Sequence, residues 1–218
     1  MILLIAVSAH ALTLADLSNK DAAAGLKEAL SQGATKAVAL LGKNDGFLAN
    51  PKVRIPLPDN LRQVESLLRG MGAGRYADEL VTAMNRAAEA AVPEAKTLLL
   101  NSIKQMSVQD AKGILTGGED AATQYFRRTT SEPLGAKFKP MVKKAIERVK
   151  LAEKYDQFAG RAAKFGLVKE QDTHLENYVT AKALDGLYLI IAEEEKAIRT
   201  DPVGAAGSLA KKVFSLLK

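Results

Sequence analysis

The sequence predicts an all-α protein of about nine or ten helices, and three observations carry that prediction. Apolar residues recur at intervals of three and four along almost the whole chain, the period of one helix face. Ser and Asp starts, with Gly and Pro stops, punctuate the chain at helix-length intervals. Only residues 43–58 are irregular for longer than a turn, and few strands with many short loops imply one domain.

Taken in order, Ser18 and Asp21 form a capping-box pair for a helix ending near Leu41, where Gly42 suits the residue after the last turn. Its apolar positions are Leu26, Ala29, Leu30, Ala34, Ala37, Val38 and Leu41. Asp45-Gly46 and Asn50-Pro51 are turn signals, and Pro56 and Pro58 keep Val53–Leu57 extended. At most a minimal hairpin, Phe47–Ala49 with Val53–Ile55, fits between residues 47 and 55. Asp59 starts a helix to about Arg69, and Gly70-x-Gly72-x-Gly74 breaks it. Another helix runs from Arg75 to Ala91, and Pro93 opens the next, which ends near Met106. Ser107 and Asp110 form a second capping box, closed by Gly117-Gly118. A helix over 119–130 follows, and Ser131-Glu132-Pro133 restarts the chain. Phe138, Met141, Val142, Ala145, Ile146 and Val149 then make an amphipathic stripe that loses register near Leu151, predicting a kink or a new helix. The last long helix spans about 173–199, and Asp201-Pro202 starts a C-terminal one.

The chain has 218 residues and is 47% hydrophobic, which is enough for a core and excludes wholesale disorder. It contains no Cys, so disulfides, thiolate metal sites and thiol nucleophiles are excluded. The first eleven residues, MILLIAVSAHA, join an apolar run to a small-x-small Ala9-His10-Ala11. They read as the remnant of a signal peptide cleaved near Ala11, with a true start upstream, or alternatively as a buried N-terminal segment. On the first reading, residues 12–218 are the mature domain, periplasmic or secreted, and His174 is its only histidine, which rules out a two-histidine metal site in one chain. No other segment approaches the roughly 20 apolar residues of a membrane span. No cofactor is expected.

Five stretches carry a resemblance: DGFLANPKVRIPLP (45–58), MNRAAEAAVPEA (84–95), DAATQYFRRTT (120–130), NYVTAKALDGLYLIIAEEEKAIRTDP (177–202) and KKVFSLLK (211–218). In this order the stretches resemble the bacterial family catalogued as domain of unknown function 4197, over essentially the whole mature chain. The resemblance implies a helical protein exported by Gram-negative bacteria, and it implies no activity. Some members carry a lipoprotein signal, but this chain lacks the Cys such an anchor needs.

Several residue groups could carry function. The glycine run before Arg75 follows a helix and lacks a Lys-Ser/Thr tail, so it is a tight turn rather than a phosphate loop. At about 100° per residue, Asp78, Thr82, Asn85 and Glu89 gather opposite Leu80, Val81, Met84, Ala88 and Ala91. With Arg86, Asn85 and Glu89 either line a polar groove or form a solvated face with an Arg86–Glu89 pair. Tyr125 and Phe126 share a face with Ala122, which turns both rings inward and argues against a nucleic-acid patch. Glu194 falls in the apolar stripe of Val179, Ala183, Leu187, Ile190, Ile191 and Ile198. A carboxylate there needs a partner, so Glu194 is either one half of a buried ion pair with an Arg of another helix or a general acid.

The charge is local. Of 31 Lys and Arg against 25 Asp and Glu, residues 127–170 hold twelve and five, a net +7, which leaves −1 for the rest. Arg127, Arg128, Lys139, Lys143 and Lys150 are the candidate contacts of this segment. Its anionic partners would be lipid head groups, lipopolysaccharide phosphates or an acidic protein surface. Two other readings stand beside this one: a carrier of a small apolar ligand between helices, and a hydrolase using Glu194 or Asn85 and Glu89.

Overall fold

The computed structural model describes residues 19–148, 150, 153–154, 156–158, 175–201 and 208–215. Eight regular α-helices lie among them: α1 (Asn19–Leu41), α2 (Asp59–Gly70), α3 (Arg75–Ala91), α4 (Ala95–Gln105), α5 (Val108–Leu115), α6 (Ala121–Arg148), α7 (Leu175–Thr200) and α8 (Ser208–Ser215). A short 3-10 turn, Val92–Glu94, joins α3 to α4 and takes Pro93 in its first turn, where the missing N–H costs nothing. No strand occurs among the described residues.

Helix α7 packs against both α6 and α1, α3 also packs on α6, and α8 lies along α1. The seven apolar positions expected of α1 are all buried, and their spacing explains why the helix forms: each turn adds one or two to the same inward face. Gly25 lets α8 approach, since a Cβ there would lie 2.8 Å from the Leu209 carbonyl oxygen. The turn between α2 and α3 uses Gly72 at φ +73°, as a tight turn requires. Helix α5 begins with the expected capping box. Ser107 Oγ accepts from the Asp110 N–H, and the Asp110 carboxylate accepts from the Ser107 N–H, both at 3.0 Å. The Ser107 hydroxyl also donates to the Asp110 carboxylate at 2.6 Å, and this bond, with the one from the Ser107 N–H, holds that carboxyl below its ordinary range.

Two expectations need correction. The chain does not restart at Ser131-Glu132-Pro133: α6 runs unbroken through Pro133 and Pro140. Phe126, Thr130, Leu134, Phe138 and Val142 follow one another at intervals of four and are all buried, so one inward face continues across both prolines. Both prolines sit on the exposed side, where water can take up the freed carbonyls. The hairpin at 47–55 is absent. Helical turns replace it, with the Ala49 N–H donating to Asp45 O and the Arg54 N–H to Asn50 O. The C-terminal helix is described over Ser208–Ser215, so the expected start at Asp201-Pro202 runs into residues outside the described ones. The Asp201 N–H donates to Ala197 O and closes α7. The predicted loss of register near Leu151 appears as the end of α6, with Lys150 at φ +54°. Ser18, the apolar run 1–11, Pro202, His174, Arg161, Lys164 and Lys169 lie outside the described residues.

Candidate functional site

The Asn85–Glu89 end of the α3 polar stripe is not a solvated face, although Asp78 is exposed. Asn85 is fully buried and Glu89 nearly so, because residues 45–55 lie over them. Asn85 Oδ1 accepts from the Ile55 N–H at 2.8 Å, and its Nδ2 donates to Ile55 O at 2.9 Å. The side-chain amide thus satisfies both backbone groups of Ile55, as a neighbouring strand would. Glu89 Oε1 accepts from the N–H groups of Phe47 and Leu48, each at 3.0 Å. Its Oε2 accepts from Arg86 at 2.6 Å, and Arg86 reaches on to Asp45 at 2.8 Å. Asp45 has φ +65°, a left-handed conformation that Asp adopts more readily than most non-glycine residues, and from it the carboxylate meets Arg86.

A second carboxylate repeats this arrangement, and it is not the one the sequence singled out. Glu194 is paired with Lys36 of α1 at 2.7 Å, its side chain 16% exposed. The buried residue is Glu195, 4% exposed. Its two oxygens accept from the N–H groups of Ala122 and Thr123, both at 2.9 Å, and from Thr123 Oγ1 at 2.8 Å. These are the second and third residues of α6, whose N–H groups have no partner within the helix. Glu195 therefore caps α6 from another helix, and its charge suits the positive end of the helix dipole. Arg199, four residues on, completes the site with bonds to Glu195 at 2.9 Å and to Ile114 O at 2.9 Å. The sequence did hold a signal: Glu195 is four residues from Ile191 and seven from Tyr188, both buried. Because α7 has helices on two sides, its apolar arc is wider than a single stripe. Glu194 takes the α1 side and Glu195 the α6 side.

The outer edge of α3 floors a groove of about 400 Å³, a volume within the small-molecule range. Arg75, Asp78, Glu79, Thr82, Ala83 and Arg86, spaced by threes and fours, line it, with Lys154 opposite. Asp78 bonds Arg69 at 2.5 Å, and Glu79 bonds Lys154 at 2.7 Å. Arg69 holds the Asp78 carboxyl below its ordinary range, and Lys154 does the same for Glu79. Of the stripe expected from the sequence, Arg86, Asp78 and Thr82 reach this groove, whereas Asn85 and Glu89 do not line it.

The candidate basic face divides in two. Arg127 is half-exposed but engaged: its guanidinium lies 4.7 Å from the centroid of the buried Tyr188 ring and 3.7 Å from the exposed Asp185. Arg128 lies over the Tyr125 ring at 5.7 Å. Tyr125 and Phe126 are both buried, as their shared face implied, and burial pushes the Tyr125 hydroxyl up. Further along α6, Lys137, Lys139, Lys143, Lys144 and Arg148 are exposed. None of them has a carboxylate partner among the described residues. They occupy the arc opposite Leu134, Phe138, Val142 and Ala145, and Glu132 and Glu147 are the carboxylates in that stretch. Lys150 pairs with Glu153 at 3.6 Å.

Among the described residues no three His, Cys, Asp or Glu side chains gather as a metal site, and no helix is long and apolar enough to cross a membrane. The chain belongs to the family described as "Protein of unknown function (DUF4197)", whose model matches residues 16–215. Neither the curated proteins nor the solved structures contain a match to it.

Proposed function

We propose that this is an exported protein that acts by binding, attaching to phosphate-bearing anionic envelope surfaces through the outer face of α6. The observation that carries the reading is the set Lys137, Lys139, Lys143, Lys144 and Arg148, exposed and without carboxylate partners among the described residues. Lys150 extends the set at its end, and Arg128 lies at its beginning. Arg127 contributes least, because Tyr188 and Asp185 already occupy it.

Lysines on flexible stems suit diffuse phosphate charge. A specific protein interface would favour Trp, Tyr or Arg anchors, and the exposed large apolar residues, Leu67, Met71, Val108 and Leu189, all lie off α6. Lipid head groups and lipopolysaccharide phosphates offer the surface the arrangement fits. Export rests on the apolar run at residues 1–11 and its small-x-small end.

The rival readings find less support. The groove on α3 has an apolar middle but is rimmed by charged side chains that a wholly apolar cargo would leave unused. As for hydrolysis, Asn85 and Glu89 spend their bonds on the 47–55 backbone, and Glu194 is paired with Lys36.

Co-sedimentation with vesicles tests the proposal. Vesicles containing anionic lipid should retain the protein at low salt and release it as salt screens the charge. Zwitterionic vesicles should not retain it. Equal binding to both, or none to anionic vesicles at low ionic strength, would overturn the reading. Capture by an acidic protein surface in place of lipid would overturn the choice of partner.

A further inference from the structure

A second site lies on α3 and is closed by Lys154, four residues beyond Lys150 at the end of the basic face. Its floor is the outer stripe of α3 between Arg75 and Arg86, eleven residues or roughly 16 Å of helix. Three cations converge on it. Arg86 is braced from behind by Glu89 and Asp45, so its guanidinium is fixed, while Nε bears no bond among the described residues. Lys154 gives one bond to Glu79 and, among the described residues, retains two N–H donors. Arg75 lies over the Tyr76 ring and has no carboxylate within ion-pair reach among the described residues. The two carboxylates on the floor are already occupied, Asp78 by Arg69 and Glu79 by Lys154. Between the charges, Ala83 and the Thr82 methyl give a short apolar surface. The groove thus presents spare donors at its ends and along its wall, with an apolar middle.

We propose that this groove binds a small molecule with an oxyanion on a short apolar stem, the oxyanion held by Arg86 and Lys154 and the stem lying on Thr82 and Ala83. Arg75 favours ligands with a second anionic group at the far end. All of the lining but Lys154 comes from one helix. It differs from the α6 face in kind: braced cations around a concave floor select a shape, whereas mobile lysines on a convex face do not.

Calorimetry and amide NMR with hexyl phosphate, hexanoate and hexylammonium as probes test this. Saturable one-to-one binding of hexyl phosphate or hexanoate is expected, with shifts centred on residues 75–86. Either Lys154→Gln, which removes a charged donor, or Thr82→Leu, which fills the floor, should weaken it about tenfold. Lys139→Gln with Lys143→Gln on α6 should leave it unchanged. Melting curves matching the parent show that each variant is folded, and if Thr82→Leu is not, Lys154→Gln decides. No saturable binding of either anion, equal binding of hexylammonium, or indifference to Lys154→Gln would overturn the proposal. Loss through the α6 variant would move the anion to the basic face and overturn it equally.

Discussion

The carboxylates that α3 and α7 turn inward and the cations that α6 turns outward are both dense charge on a helix, disposed of in opposite ways. Glu89 and Glu195 each accept two consecutive backbone N–H groups and an Arg three or four residues away on their own helix. Each of those arginines then makes a further tie, Arg86 to Asp45 of the same loop and Arg199 to the carbonyl of Ile114 in α5. The same device thus occurs twice, once to seat a loop and once to cap a helix. The α6 lysines touch no carboxylate among the described residues. Buried charge is affordable only when its bonds are complete, so the inward carboxylates are architecture. Exposed charge with no partner costs little and stays available.

The sharpest way to break this contrast is to neutralise an inward carboxylate. Glu195→Gln should cost about 3–5 kcal/mol in denaturant unfolding, because Arg199 and two N–H groups of α6 lose a charged partner in a dry site. Glu89→Gln should cost less, about 2–3 kcal/mol, because Arg86 keeps Asp45 and is partly solvated. A change under about 0.5 kcal/mol for either would remove the structural role assigned to it. Asn85→Ala comes next, at about 1–3 kcal/mol, for the two backbone groups of Ile55 that it leaves unsatisfied. On the other side of the comparison, Lys139→Gln with Lys143→Gln and Lys144→Gln should leave stability within about 0.5 kcal/mol. A large loss there would mean that the face is structural after all.

The smallest effect is a pH dependence. Asp78 and Asp110 titrate below the ordinary value of 3.8, Asp78 through Arg69 and Asp110 through Ser107. A lowered folded-state pKa contributes stability that is complete above the unfolded value and is lost as the pH falls through the folded one. Melting temperature should therefore fall below about pH 4, and Asp78→Asn should flatten part of that slope. The exposed Arg69 pair contributes no more than about 1 kcal/mol.

Much of the fold was legible in the sequence because its signals are local. The α1 stripe, the Ser107–Asp110 box and the Gly72 turn each depend on residues within a few positions of one another. The failures are long-range. Asn85 and Glu89 looked solvent-facing because their partners lie 30 to 42 residues away, in a loop whose path has no periodicity. Glu195 was passed over for Glu194 because a single stripe was assumed for a helix flanked on two sides. Pro133 read as a break because its local cost is plain, whereas the four-residue ladder from Phe126 to Val142 that offsets it becomes evident only once α6 packs. The α6 lysines were visible as charge; that Arg127 is taken up by Tyr188 was not, since Tyr188 stands 61 positions on. The groove was missed where it depends on Lys154, which sequence spacing cannot bring to Glu79.

The central claim, that the outward cations of α6 are the working surface, is tested most directly by titrating anionic vesicles against the parent and the triple Lys-to-Gln variant over a range of salt. Each lysine near an anionic surface is worth about 1 kcal/mol, so removing three should weaken binding roughly a hundredfold and flatten its salt dependence, with the melting temperature unchanged. Parent-like affinity and salt slope in a folded triple variant would contradict it.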